Sequence, residues 1–265
     1  MELFRFTPGR TPLLIDVPHA GTHLPDELAT RMTVRARSLP DTDWHVDRLY
    51  GFAPALGAGL LVATHSRYVV DLNRAPENTA LYPGADNTGV CPSTDFEHHL
   101  LYADGEAPGT DEITARLAQY WQPYHDRLAA EIAALTERFG IAVVLDGHSI
   151  KSVLPRFFEG ILPDLNLGTA EGRSADSGLY ESLFGLLDRA DGFDAVCDGR
   201  FTGGHITLHY GKPEKGVHVV QLELAQAAYL DEAAPARFDA ERAAALVAVL
   251  KRVVADLLDW AETRR

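Results

Sequence analysis

Ile141-Ala-Val-Val-Leu-Asp-Gly-His-Ser149 is an unbroken apolar run that stops abruptly at Asp146-Gly147-His148. Such a run reads as a strand buried on both faces, and the glycine and polar groups that follow at once place a side chain at the carboxyl edge of a parallel sheet. Leu13-Leu-Ile-Asp-Val-Pro-His-Ala-Gly21 has the same shape and delivers His19. Open α/β sheets build their sites at that edge. Two imidazoles arriving there by the same route predict a shared site, with a metal ion as the first hypothesis.

Working outward, strand-like and helix-like stretches alternate. Residues 12–18 read as a strand, and 26–33 and 43–56 as helices, the first opening at Pro25-Asp26. Residues 58–64 and 67–72 are the next strand candidates, and the Pro/Gly/Asn-rich segment from Ala75 to Pro108 shows little periodicity. The clearest helix runs from Thr110 to Phe139, with Ile113, Leu117, Tyr120, Tyr124, Leu128 and Ile132 at three- and four-residue spacing, Gly140 as its stop and Pro123 predicting a kink. After strand 141–146 comes an irregular stretch from Lys151 to Ala175, a helix near 178–190, strands near 193–197 and 216–224, and a final helix from Asp239 to about Trp260. This alternation predicts an α/β fold, a largely parallel mixed sheet flanked by helices on both faces. No internal repeat interrupts it. At 265 residues and 46% hydrophobic positions the chain suffices for one large core, so a single domain over residues 1–265 is expected.

A net charge of −14 argues against a general nucleic-acid or anionic-membrane binder, because the field repels phosphate. A small anionic substrate fits only where cations are concentrated locally. Cys91 and Cys197 sit in no CxxC or CxxH pair and read as reduced thiols. No apolar run approaches the roughly 20 residues of a membrane span and no leading signal segment is recognisable, so a cytoplasmic protein is expected. No coiled-coil seam predicts an oligomeric state.

A catalytic zinc takes three ligands from His, Asp, Glu or Cys and keeps a fourth position open. His19 and His148 supply two, and Asp41-Thr-Asp-Trp-His-Val-Asp47 is dense in candidates for the third, with Asp43 and Asp47 at i, i+4. His23, His45, His65, His98, His99, His125 and His218 read as structural. Glu223 lies in the apolar strand Val217–Leu224, where an unpartnered carboxylate is costly, and is the candidate general base. Arg67 and Arg74 bracket an apolar stretch, and Asn73-Arg74 suits a guanidinium fork on a carboxylate; the alternative is that either arginine pairs with Asp71. Ser149 lacks a GxSxG elbow, which disfavours a serine hydrolase.

Pro18-His19-Ala20-Gly21, Asp43-Trp44, Ser66-Arg67 through Asp71-Leu72-Asn73-Arg74, Asp146-Gly147-His148-Ser149, Asp164 to Thr169, Gly203-Gly204-His205-Ile206-Thr207 with Tyr210-Gly211, and Val220-Gln221-Leu222-Glu223-Leu224 together resemble the N-formylglutamate amidohydrolase family, from about residue 12 to about residue 230. The resemblance implies a zinc-carboxypeptidase-like (phosphorylase/hydrolase-like) fold, shared at a distance with succinylglutamate desuccinylase and aspartoacylase. It implies metal-dependent hydrolysis of a formyl amide in histidine degradation, with Zn2+ or another divalent cation on His19, Asp43 and His148. Asp43 enters as the acid ligand, with Asp47 second, because Thr22 stands where the wider superfamily carries a glutamate three residues after the first histidine. Glu223 is then the base, Arg67 the cation facing the oxyanion, and Asn73-Arg74 the carboxylate clamp. Asn166, Thr207 and Tyr210 are expected to line the substrate pocket. Other N-acyl amino acid deacylases, a small peptide amidase and a non-catalytic carboxylate-binding protein are the rival readings.

Overall fold

The computed structural model describes residues 1–79, 84 and 86–264. Among these, β1 (Phe4–Thr7), β2 (Leu13–Val17), β3 (Gly59–Ala63), β4 (Ala142–Ile150), β5 (Leu165–Gly168), β6 (Ala195–Cys197) and β7 (Val217–Ala225) form one sheet in the order β1-β3-β2-β4-β7-β5-β6. β1–β3 and β5–β7 pair antiparallel, and the other four of the six pairings are parallel, the mixed, largely parallel sheet that the alternation predicted.

The helices are α1 (Asp26–Arg31), α2 (Val34–Arg37), α3 (Val46–Leu49), α4 (Ala53–Leu56), α5 (Thr110–Arg116), α6 (Gln122–Phe139), α7 (Ser177–Leu187), α8 (His205–Tyr210) and α9 (Ala240–Glu262). Side chains alternate across a strand, so β4 sends Val143 and Leu145 to the face covered by α7 and α9, and Ala142 and Val144 to the face covered by α6. On α9 the stripe Leu246, Leu250, Val253 and Leu257 is fully buried, each side chain contributing about 1.5–3 kcal/mol. Asp239 caps that helix by accepting from the amides of Glu241 and Arg242. Among the described residues no helix is long and apolar enough to cross a membrane.

Four expectations need correction. The helix expected over 43–56 is two short ones, α3 and α4: His45 takes a left-handed conformation (φ 63°) and delays the start to Val46, and Pro54, which lacks an amide hydrogen, fits only the first turn of a new helix and not the interior of a continuous one. Residues 67–72 form turns, not a strand. The Ser66 hydroxyl accepts from the amide of Tyr68 and the Asp71 carboxylate from that of Asn73, side-chain caps that override the β preference of Val69-Val70. The strand expected over 141–146 continues through His148 to Ile150, because β7 is equally long and pairs with it to the end. Within the irregular stretch expected over 151–175, residues 165–168 form β5 beside β7.

Pro123 is accommodated by one widened turn over Leu117–Trp121, where the Gln122 amide reaches back to Leu117 O. Of the segment from Ala75 to Pro108, residues 80–83 and 85 lie outside the described residues; elsewhere it is pinned by bridges such as Met32 to Tyr102 and Thr94 to Leu100.

Candidate active site

The face of the sheet that meets α6 turns polar toward the carboxyl ends of its strands. Alternation puts Asp146 and His148 of β4 on the side of Val144, and Gln221 and Glu223 of β7 on the side of Val219. Register sets His148 beside Glu223. His19 follows the end of β2, and the Asp43 amide bonds to the His19 carbonyl at 3.1 Å, which brings the acidic loop to the imidazole.

His19, Asp43 and His148 each offer a ligand atom within 4.8 Å of the others, and all three are buried. Asp43 Oδ2 lies 2.9 Å from His148 Nδ1 and 3.9 Å from His19 Nδ1, and the two rings stand 4.9 Å apart. Around them runs a second layer. His19 Nε2 donates to Asp71 Oδ1 at 2.8 Å, Asp71 Oδ2 accepts from Arg67 Nη2 at 2.8 Å, and Arg67 Nη1 reaches Asp43 Oδ1 at 3.3 Å. Asp146 Oδ1 and the Asn73 amide both lie 2.9 Å from His148 Nε2.

The donor set fits a divalent cation. With Nε2–H of His19 donated to Asp71, its Nδ1 must carry the lone pair, and that atom is buried with no hydrogen-bond partner. Two imidazole nitrogens and a carboxylate oxygen are ordinary zinc ligands, and here Asp71 and Asp146 lie beside the imidazoles and Arg67 beside the carboxylate. Asp47, the second choice, is not in this group: it lies on α3 in an ion pair with Arg5 at 2.6 Å.

Burial opposes the Asp43 carboxylate, yet the hydrogen bond from His148 and the charges of His19, His148 and Arg67 outweigh it and hold its pKa low. Burial also opposes the imidazolium of His148, but Asp146 and Asp43 raise it well above the ordinary value. His19 is lowered, by burial first and then by Arg67. Glu223 is pushed up to about 8, by burial first and with Asp43 adding, against the pull of His148 and Arg67.

Above these groups opens a cavity whose wall includes Arg67, Asn73, Arg74, Gln221 and Glu223. Arg67 is tied to Asp71 and Asp43, as the alternative reading of that arginine had it. Asn73 Oδ1 accepts from the Ile206 amide and Gln221 Oε1 from that of Gly204. Gly204 is required here, since a Cβ would fall 2.3 Å from the Asn73 amide.

Three expected pocket residues sit elsewhere. Asn166 donates to the Pro163 and Glu223 carbonyls and so braces the β7 backbone, because β5 lies antiparallel against β7. Thr207 is fully buried on α8 against Gly203. Tyr210 donates to His125 Nδ1, whose Nε2–H donates to Leu72 O; this pair steadies the Asp71–Arg74 segment from outside the cavity.

Sequence reasoning missed Phe96, Asn87, Phe157, Arg200 and Phe201 on the cavity wall. They come from separate irregular segments with no periodic signal. Gln221 was legible in principle, two residues before Glu223 on the same strand face.

Residues 11–230 match the model of the family described as N-formylglutamate amidohydrolase. The chain is 48% identical to an N-formylglutamate deformylase of Pseudomonas aeruginosa and 47% identical to one of Pseudomonas putida, each over 263 residues that cover 99% of this chain and 98% of the relative. The fold is similar to the crystal structure of N-formylglutamate amidohydrolase from Ralstonia eutropha JMP134, with a TM-score of 0.86 over the whole of both chains at 24% identity. It is also similar to that of an Agrobacterium tumefaciens gene product, with a TM-score of 0.74 at 20% identity over 99% of this chain and 97% of the other. The matched span contains every segment that delivers His19, Asp43, His148 and Glu223 to one cavity, and with near-complete coverage of both Pseudomonas relatives the chain belongs to the N-formylglutamate amidohydrolase family.

Proposed function

We propose that this chain hydrolyses the formyl amide of N-formyl-L-glutamate to formate and L-glutamate, as a step in histidine degradation. The observation that carries the reading is the Glu223 carboxyl group, set by strand register beside His148 at the floor of a cavity that also holds His19 and Asp43. A divalent cation, Zn2+ by its ligand chemistry, would be held by His19, Asp43 and His148. When bound, such an ion polarises a carbonyl and makes water acidic near neutral pH.

The chain's own groups do the rest. Glu223 accepts the proton of the attacking water as its oxygen bonds to the formyl carbon. The guanidinium of Arg67, at the cavity wall, faces the oxygen on which negative charge develops. As the carbon–nitrogen bond breaks, Glu223 returns the proton to the departing nitrogen. Arg74 holds the substrate's α-carboxylate, and Asn73, the other half of the expected clamp, instead turns its amide to His148 and Asp146 and so anchors the segment that carries Arg74. Thr88 and the Asn73 carbonyl fix the plane of that arginine, so the clamp is oriented before substrate arrives.

Formate release from N-formyl-L-glutamate by purified protein, with N-acetyl, N-succinyl and N-formylaspartate substrates beside it, tests the reading. Glu223→Gln should lower kcat by about 10²–10⁴-fold, the usual contribution of a positioned acid–base group, while metal content by elemental analysis stays unchanged. A variant rate within a few-fold of wild type would remove Glu223 from the base role.

A further inference from the structure

We propose that Arg200 is a specificity residue that binds the side-chain carboxylate of the substrate. The proposal deepens the deformylase reading and rests on it. N-formylglutamate carries two carboxylates, and its reacting amide is one carbon from the first and three from the second. One cation cannot serve both. Of the three arginines on the cavity wall, Arg67 is held between Asp71 and Asp43, and Arg74 belongs to the segment whose Asn73 touches His148. Arg74 is therefore next to the reacting end, where the α-carboxylate must lie. Arg200 enters from another element, the turn after β6.

That turn is built to hold it. Asp198 takes a left-handed backbone (φ 46°), its amide donates to Leu167 O at 2.7 Å, and its carboxylate accepts from the amide and hydroxyl of Thr169. Arg200 Nε donates to the Phe157 carbonyl, and the guanidinium carbon lies 5.7 Å from the Phe157 ring and 5.2 Å from the Phe201 ring. Both rings pack on the apolar cluster of Phe96, Ile150, Leu154 and Leu162. Aromatic faces beside a guanidinium restrict its rotamers and lower the local dielectric, which strengthens its attraction for a carboxylate. The two methylenes of a glutamate side chain match such an apolar wall, and the arginine takes the charge beyond them.

The test compares N-formyl-L-glutamate with N-formyl-L-glutamine, which has the same shape, the same α-carboxylate and a neutral side chain. Wild type should prefer the glutamate substrate. Arg200→Gln should lower kcat/KM for N-formyl-L-glutamate by about 10–100-fold, the span of a lost charge-assisted hydrogen bond, chiefly through KM. The value for N-formyl-L-glutamine should stay within about 3-fold, so that the preference collapses, and Arg200→Lys should keep part of it. Equal losses on both substrates assign Arg200 to holding the Phe157 loop, and an unchanged preference removes it from the subsite; either overturns the proposal. If Arg200→Gln does not fold, the Arg200→Lys comparison decides alone: a reduced preference supports the proposal, and an intact one refutes it. Wild-type turnover of N-formyl-L-glutamate separates failure here from failure of the deformylase reading.

Discussion

Asp71 is not among the residues that would hold the proposed ion, yet its replacement should weaken ion binding. Its Oδ1 accepts from His19 Nε2 at 2.8 Å, with both groups buried, and that bond holds His19 Nδ1 toward Asp43 and His148. In Asp71→Asn the amide oxygen can still accept from Nε2 and from the Asn73 amide, so the local turn survives. What is lost is the charge and, where the amide nitrogen replaces Oδ2, the acceptor for Arg67 Nη2. A hydrogen bond to a charged group contributes about 1.5–3 kcal/mol and a neutral one about half of that, so the direct loss is about 1 kcal/mol. Arg67 adds to it, because without the Asp71 carboxylate its charge bears more heavily on Asp43, whose Oδ1 it already touches, and makes that carboxylate a poorer ligand. Together the two effects place Asp71→Asn within the ~10–100-fold loss of metal affinity typical of outer-layer partners. Competition for Zn2+ against a chromogenic chelator reads the constant directly, and a thermal melt reports whether the fold is intact. A folded variant whose Zn2+ affinity stays within about 2-fold of wild type, against that ~10-fold minimum, would show that the carboxylate does not position the ring.

Two further outcomes follow from the geometry. Asp43→Asn should abolish stoichiometric Zn2+ retention, whereas Asp47→Asn, whose carboxylate pairs with Arg5 on the surface, should leave metal content and turnover at wild-type levels; elemental analysis of the two proteins decides. His125 is depressed to about 3, by burial first, with His205 and His209 adding to the effect and its hydrogen bond to Leu72 opposing it. An unfolded histidine titrates near 6.5, so the stability held by neutral His125 is complete above about pH 6.5 and is lost as pH falls toward 3, by about 1.4 kcal/mol per unit. Urea unfolding at several pH values should therefore give a curve for His125→Gln that is flatter than wild type by one proton in this window, and parallel curves would refute the assignment.

Much of this was written in local pattern. The apolar runs that lead into Asp146-Gly147-His148 and Val17-Pro18-His19 announced both the sheet and the edge where the two histidines meet, since apolar continuity and a polar break are properties of neighbouring residues. Glu223 was legible for the same reason, as a carboxylate in an apolar strand. The 67–72 segment was misread because the turn caps supplied by Ser66 and Asp71 compete with β-branched propensity, and their balance depends on partners such as Val90, distant in sequence. Asn166, Thr207 and Tyr210 are polar residues in segments that do approach the site, but which way each points depends on what packs against it.

What the chain determined by itself is therefore the α/β class, the two histidines that follow apolar runs and the acid of β7, because each follows from hydrophobic period and local charge. Only the folded molecule brought Asp43 and not Asp47 beside the two histidines, joined Asp71 to His19, and set Arg200 on the cavity wall. Those choices rest on contacts between segments tens of residues apart, whose register and turn geometry no local pattern encodes.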